Sequence, residues 1–561
     1  MSMMNQAMTD LLQYNSAILP RKRSVFNKSH SHTTTFDSGY IIPLMWDRVL
    51  PGDEKKIKYN GLCRMATPIH PTMDDARLDV WAFYLPDRLW WTHAKEFYGE
   101  NKDAAFNPDG EYEMPYLRPD QYAVQTDRAD QFSYGVGSLN DYFGFPCMSE
   151  EVASARADEP SLRVTAALHR CYHIIWNEWF RNSSVQSAEM LNDGDFVTDD
   201  EWQVISKLKL ANKYPDYFTT LLREPQAGDD VLLPLGDFAP VVSRTTIHSG
   251  LAHDQESASA MQLVNSLGGN LYVDSNNVVR AQNGTISDDS GNAVYPNNLW
   301  ADLTFANRAT INNLRAAITI QHLLEVDALA GKRYQSVIAT HFGCFTPDAT
   351  LQRPELLGAT SQSLGMRQVV QTSESSDGSP LGNVSAFSLT NIANEWICNK
   401  SFTEGGILMI VGCIRPQVSY SQGIDPLLTK LARYDHYWPV FDNLGNQPVL
   451  KKTLYAGDNA DVSTLDEVLG YAEAWTEYRI KNNRVSGLMR PDVPQTLSSW
   501  NYSEFYASAP TLDSEFIAVD PSLIDRTIAV PSQPQFICDS YFDYTDIKNM
   551  SVHSVPGLNR L

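Results

Sequence analysis

Long apolar runs are missing from this chain. None approaches the ~20 residues that a bilayer span needs, so no membrane insertion is expected. The longest, residues 407–414, has the length of a buried strand. The opening MSMMNQAMTDLLQYNSAILP carries Asp10 and places its basic run after its apolar residues, the reverse of a secretory signal, so folding in the cytoplasm of the producing cell is expected. Cysteine is sparse and odd in number, at Cys63, Cys147, Cys171, Cys344, Cys398, Cys413 and Cys538. No CxxC pair occurs, which argues against a zinc site or a redox motif, and Cys171, Cys413 and Cys538 sit in apolar runs where cysteine acts as a small hydrophobe. HExxH, GxSxG, GxxxxGK[ST] and GxGxxG are all missing. With 67 acidic residues, carboxylate pairs abound, but nothing singles one out for glycoside hydrolysis.

Basic charge is scarce too. The 44 Lys and Arg stand against 67 Asp and Glu, a net charge of −23. Affinity for nucleic acid comes largely from Lys and Arg displacing counterions, so a chain this acidic cannot neutralise a long nucleic acid unaided. The one basic cluster, Arg21, Lys22, Arg23 and Lys28, lies in a stretch without acids from Leu11 to Phe36. A solvated surface arm is the plain reading of such a run.

What is present is β-type patterning with frequent turn signals. The 31 glycines and 30 prolines are spread widely. Between turns such as Pro51-Gly52, Asn283-Gly284 and Asp377-Gly378 lie β-type runs at 79–85, 406–414 and 536–541. Strands separated by long irregular connections fit an all-β antiparallel barrel or sandwich whose loops carry much of the mass. Two helices stand out within those loops. In 162–180, Val164, Leu168, Cys171, Ile175 and Trp179 recur at spacings of three and four, predicting one buried stripe. In 310–330, Ile311, Leu314, Ile318, Leu324 and Ala328 do the same, with Thr310 as N-cap and Gly331 as terminator. Residues 241–300 differ, being rich in Asn and Ser with short β segments. Asn283-Gly284 there predicts a hairpin between 278–282 and 285–287. Such an excursion costs little closure entropy and can be inserted without unfolding its host.

Metal-ligating patterns are weak. His169 and His173 lie four apart on one helix and could share a face, but no third ligand is near, and bonds to neighbouring loops are the simpler reading. His30 and His32 alternate along an expected strand edge. Asp193, Asp195, Asp199, Asp200 and Glu201 miss the EF-hand spacing, and Asp288 to Asn292 reads as a solvated turn. No cofactor is expected, with Ca2+ at a subunit contact as the one alternative.

Two stretches carry a family resemblance. LARYDHYWPVFDNLG (431–445) and AVPSQPQFICDSYFDYTDIKNMSVHSVPGL (529–558) resemble signature blocks of the major capsid protein of microviruses, small single-stranded DNA bacteriophages, in their gokushovirus branch. Further similar blocks follow in the same order: SVFNKSHSHTTTFDSGYIIPLMWDRVLPGD (24–53), RMATPIHPTMDDARLDVWAFYLPDRLWW (64–91), RCYHIIWNEWFRN (170–182) and YPDYFTTLLREPQAGDDVLLPLG (214–236). Then come TINNLRAAITIQHLLEVDALAGKRYQSVIATHFG (310–343), QRPELLG (352–358) and FTEGGILMIVGCIRPQVSYSQGI (402–424). Only the opening residues and the segment near 241–300 depart from the pattern.

The resemblance implies an eight-stranded antiparallel jelly roll with long loop insertions containing several helices. Residues 25–240 and 301–561 would form it, after an N-terminal arm at 1–24. The basic cluster itself suggests that this arm is interior, with Arg21, Lys22, Arg23 and, just beyond it, Lys28 facing DNA, since so acidic a chain has few other places to meet it. Residues 241–300 would form a surface protrusion at the three-fold axes, its tip (Ser275, Asn276, Asn277, Asn283, Gly284) touching the host. It further implies no enzymatic activity, self-assembly into an icosahedral shell around circular single-stranded DNA, and a place in the virion. Implied partners are a small basic packaging protein, a minor pilot protein and a bacterial surface receptor. Trp90, Trp91, Tyr434, Tyr437 and Trp438 are expected at subunit contacts or in the core. The rival is a carbohydrate-binding or carbohydrate-processing β protein, since jelly rolls host those as well.

Overall fold

The computed structural model describes residues 23–100, 112–122, 135–157, 159–229, 231, 311–370, 384–457 and 462–553, with six short strands between 241 and 301. The chain divides into two compact units, Met1–Pro225 with Ala328–Leu561, and Gln226–Asp327.

Ten strands build the body of the larger unit: β1 (Ser24–Asn27), β2 (His30–Phe36), β3 (Ile42–Val49), β4 (Glu54–Met65), β5 (Ala76–Pro86), β6 (Glu355–Ser363), β7 (Gly365–Val370), β8 (Val384–Ser401), β9 (Gly406–Pro416) and β10 (Phe536–Lys548). They form two antiparallel sheets. One runs β1-β10-β4-β8-β7, with β2 also paired to β10, and the other runs β6-β5-β9-β3. Inward residues of both sheets share one apolar core, including Ile57, Tyr59 and Cys63 of β4, Phe536, Cys538 and Phe542 of β10, and Leu78 and Val80 of β5. The architecture is an antiparallel β-sandwich, mainly β with some helices.

The sequence explains each face. In β10, FICDSYFDYTDIK alternates buried and outward positions along its whole length, the period of a strand with one wet face. In β9, GILMIVGCIRP is buried at nearly every position because helix α1 (Ala167–Ile175) packs against it, covering a second face. Each fully buried Ile, Leu or Phe contributes about 1.5–3 kcal/mol. The runs expected to be strands lie within β5, β9 and β10. The last continues to Lys548, and its polar end hid that extension.

The helix expected over 162–180 begins later, at Ala167, and finishes as a π-helical turn, Trp176–Phe180. Val164–Thr165 is instead a short strand paired with Tyr116–Leu117. Nor does α1 bury a single stripe: His169, Arg170 and His173 are as buried as Leu168 and Cys171, since side chains from surrounding loops meet its polar face. Helix α2 (Asp199–Ile205) supplies some of those partners. Helix α3 (Ile311–Ala330) matches its expected extent, and Gly331 follows it at φ +76°. Thr310 lies outside the described residues. Of the expected stripe, Ile311, Leu314 and Ile318 are exposed in the single chain, while Leu324 and Ala328 are part-buried.

In the smaller unit, Val241–Ser243 pairs with Leu299–Ala301, Leu263–Asn265 with Val294–Pro296, and Leu271–Val273 with Val279–Ala281, three nested antiparallel pairs. The hairpin expected at Asn283-Gly284 lies outside the described residues, apart from 279–281.

Candidate assembly interface

After β9 the chain leaves the sandwich, and residues 426–445 run as three short 3-10 turns, Pro426–Thr429, Arg433–Asp435 and Pro439–Phe441. Proline begins two of them, where its fixed φ suits a first turn. Carboxylates hold the backbone: Asp425 accepts from the Leu427 amide at 2.9 Å, and Asp435 from the Leu431 and Ala432 amides at 3.1 and 2.8 Å. Trp438 donates its indole N–H to the Arg433 carbonyl at 3.1 Å, with the Arg433 guanidinium 5.2 Å from its ring.

Beneath lies buried Trp475. Its indole donates to the Phe441 carbonyl at 2.9 Å, Tyr437 meets it edge-on at 5.6 Å, and Lys430 sits 4.7 Å over its face. Each such aromatic pair adds about 0.5–1.5 kcal/mol beyond area burial. Against this bracing, Leu431 is 90% exposed, Val440 88% and Tyr434 72%, with Tyr437 and Trp438 half exposed. A fixed backbone presenting bare aromatic and aliphatic side chains has nothing to react with and much to bury, and its ordering cost is already met before a partner arrives.

The other singled-out aromatics behave oppositely. Trp90 and Trp91 are 1% and 0% exposed, stacked at 5.8 Å, and their indoles donate to Asp87 at 3.0 Å and Asp195 at 2.7 Å. They belong to this chain's own core. Of the cationic residues, Arg23 donates to the Gly52 carbonyl at 2.7 Å and lies 3.8 Å from Glu54, and Lys28 pairs with Asp47 at 2.7 Å and Asp546 at 3.2 Å. Arg21, Lys22, Ser275, Asn276, Asn277, Asn283 and Gly284 lie outside the described residues, as does the run from Asp288 to Asn292.

The candidate metal ligands are turned to separate partners. His169 meets the Asn140 side-chain oxygen at 2.6 Å, while His173 meets Glu189 at 2.6 Å and the Ile205 carbonyl at 3.1 Å. Burial, and secondarily the neighbouring His173, push His169 down to about 3. Burial also lowers His173, against the opposing pull of Glu189. His30 and His32 lie on β2, each donating from Nδ1 to a backbone carbonyl, Lys28 and Leu44 respectively, both at 2.8 Å. The acidic run does structural work: Glu201 pairs with buried Arg170 at 2.8 Å, and Asp199, Asp200 and Glu201 occupy the first turn of α2, where the helix dipole favours them. Among the described residues, no three His, Cys, Asp or Glu converge to hold a metal ion.

Sequence reasoning missed a charged cluster inside the sandwich. Lys55, fully buried, donates to Asp47 at 2.7 Å, to the Tyr544 hydroxyl at 2.6 Å and to Asp546 at 3.2 Å. Lys28 reaches the same two carboxylates, and Lys548 joins Asp53 at 2.8 Å and Asp546 at 3.3 Å. Three ammonium groups thus meet three carboxylates across β3, β4 and β10 and the segments beside them. Burial raises the Asp47 pKa, but the Lys55 charge and hydrogen bonds from Lys28, Lys55 and Tyr544 outweigh it and hold the carboxyl at about 2. Parity was the signal that could have found the cluster. Lys55 shares its strand face with Ile57 and Tyr59, and Asp546 shares its face with Phe542 and Tyr544.

Comparison with known proteins decides what these surfaces belong to. The family model for the phage capsid protein (F protein) matches residues 16–558. The chain belongs to that capsid family. It is 34% identical to capsid protein VP1 of Spiroplasma virus 4, over 100% of this chain and 99% of that one. It is 33% identical to VP1 of Chlamydia phage 1, over 96% of each, and 32% identical to VP1 of Bdellovibrio phage phiMH2K, over 95% of each. The resemblance to microviral capsid proteins is borne out. The chain is a structural protein rather than an enzyme, which sets aside the glycosidase alternative, and its family places it in the virion and implies self-assembly into a shell. Among the described residues, no helix is long and apolar enough to cross a membrane.

Proposed function

We propose that the chain is the major capsid protein of a microvirus of the gokushovirus branch, assembled in the host cytoplasm into a T=1 icosahedral shell around circular single-stranded DNA. The observation that carries this reading is the braced, bare loop at 426–445 on a chain of capsid family. The eight-stranded jelly roll is supported by the pairing scheme. Early strands β2 to β5 pair only with late ones: β2 and β4 with β10, β4 with β8, β3 and β5 with β9, and β5 with β6. That is a long antiparallel ribbon wrapped on itself. Strands β1 and β7 extend its edges.

In this reading 1–24 is an interior arm. Arg23 and Lys28 already hold partners in the chain, which leaves phosphate contact mainly to Arg21 and Lys22. A net charge of −23 calls for neutralisation from outside the chain, by mobile cations or, as in the family, a small basic packaging protein, with the acidic excess on the outside. Residues 241–300, within the smaller unit, form the three-fold protrusion that meets a bacterial receptor, and a minor pilot protein completes the particle. Ca2+ at a subunit contact is compatible with the acidic surface, though assembly does not require it. Negative-stain imaging of the chain co-expressed with its packaging protein tests the reading. Closed shells are expected, and a lone soluble species at every concentration would refute it.

A further inference from the structure

A cleft of about 460 Å3 opens beside the bare loop and shares a wall with it at Asp425, Pro426 and Leu428. Its lining is mixed: Ile424, Leu428 and Ile480 are apolar, and Lys481, Arg484 and Arg490 outnumber the carboxylates Asp425 and Glu477, which leaves the cleft with net positive charge. Ser421 lines it as well. That side chain is 6% exposed, and its hydroxyl has no hydrogen-bond partner within the chain. A buried hydroxyl without a partner loses its hydration and gains nothing in return. A group from outside the chain that reaches it recovers that cost.

We propose that this cleft receives the 431–442 loop of a second copy of the chain. The inference rests on the self-assembly reading and names the contact. Three observations favour a second copy as occupant. First, the loop offers what the cleft lacks: bare Leu431 and Val440 for its apolar walls, and the exposed Tyr434 hydroxyl for Ser421. Second, charge is complementary, because Asp442 is exposed on the loop and Arg484 is exposed at the cleft. Third, loop and cleft lie side by side on one face, the arrangement that a two-fold axis pairs reciprocally, each copy giving its loop to the other's cleft. Pre-braced turns enter such a cleft with little further loss of freedom.

The test is a cysteine pair in the full chain, Val440→Cys with Ile480→Cys, oxidised after assembly. A covalent dimer is expected from the double variant and from neither single variant, which also controls for the exposed Cys147 and Cys344. Normal particles without that dimer overturn the docking and leave the capsid reading standing. An unmutated chain that forms no particles sinks both. A charge swap covers the case in which the cysteine variants assemble poorly. Arg484→Glu alone should cut particle yield by about tenfold or more, and adding Asp442→Arg should restore it. Unchanged yield from Arg484→Glu, or a failed rescue by the second change, overturns the inference.

Discussion

Trp90 and Trp91 sit buried under the sandwich, while Leu431, Tyr434, Trp438 and Val440 stand in water on a loop that is just as well hydrogen-bonded. The two groups are alike in residue type. They differ in what the rest of the chain brings to them. Asp87 and Asp195 accept the two indole N–H groups, and apolar side chains of the sandwich close over the rings. The loop has Trp475 and Lys430 beneath it, and its outer side chains are left exposed among the described residues. One cluster completes a subunit. The other, in the proposed assembly, is completed by a neighbour.

Substitutions can break that contrast. The largest effect is expected in the interior. Lys55→Ala leaves Asp47 and Asp546 buried with fewer partners, and Trp91→Ala removes a fully buried indole. Each should cost about 3–5 kcal/mol in denaturant unfolding of the unassembled chain. A smaller interior effect should follow pH. The His169 pKa is lowered from 6.5 to about 3, so its neutral form contributes stability that is complete above about 6.5 and lost as pH falls towards 3. At pH 5 the loss reaches about 2 kcal/mol. Asp47, held at about 2, adds a further loss only below about 4. Urea titrations of the native chain and His169→Gln across that range should show the variant's slope flattened between pH 6.5 and 3. On the loop, Trp438→Ala should move monomer stability by only about 0.5 kcal/mol while particle yield falls sharply. Normal particles from that variant would remove the segment from the interface. The smallest effect on assembly is expected from deleting 274–287, which should leave particles intact and abolish adsorption to the host.

Much of the sandwich was legible because strand faces follow a period of two. The runs inside β5, β9 and β10 needed only that rule. The far end of β10 did not yield to it, because Asp546 and Lys548 look like surface residues until Lys55 and Asp53 are brought opposite them. The α1 helix failed for the same reason: a single buried stripe was a fair expectation for His169, Arg170 and His173, whose partners Asn140, Glu201 and Glu189 come from elements distant in sequence. The loop at 431–445 was marked by resemblance, yet nothing local in YDHYWP says whether its rings are covered. Exposure is settled only by what the fold leaves unpartnered.

The most direct test joins Leu431→Glu with Val440→Glu and follows the chain by analytical ultracentrifugation beside the unmutated protein, both with the packaging protein present. The account predicts closed shells from the unmutated chain, and from the variant a folded species of unchanged thermal midpoint that does not assemble. Shells from the variant in normal yield would contradict it.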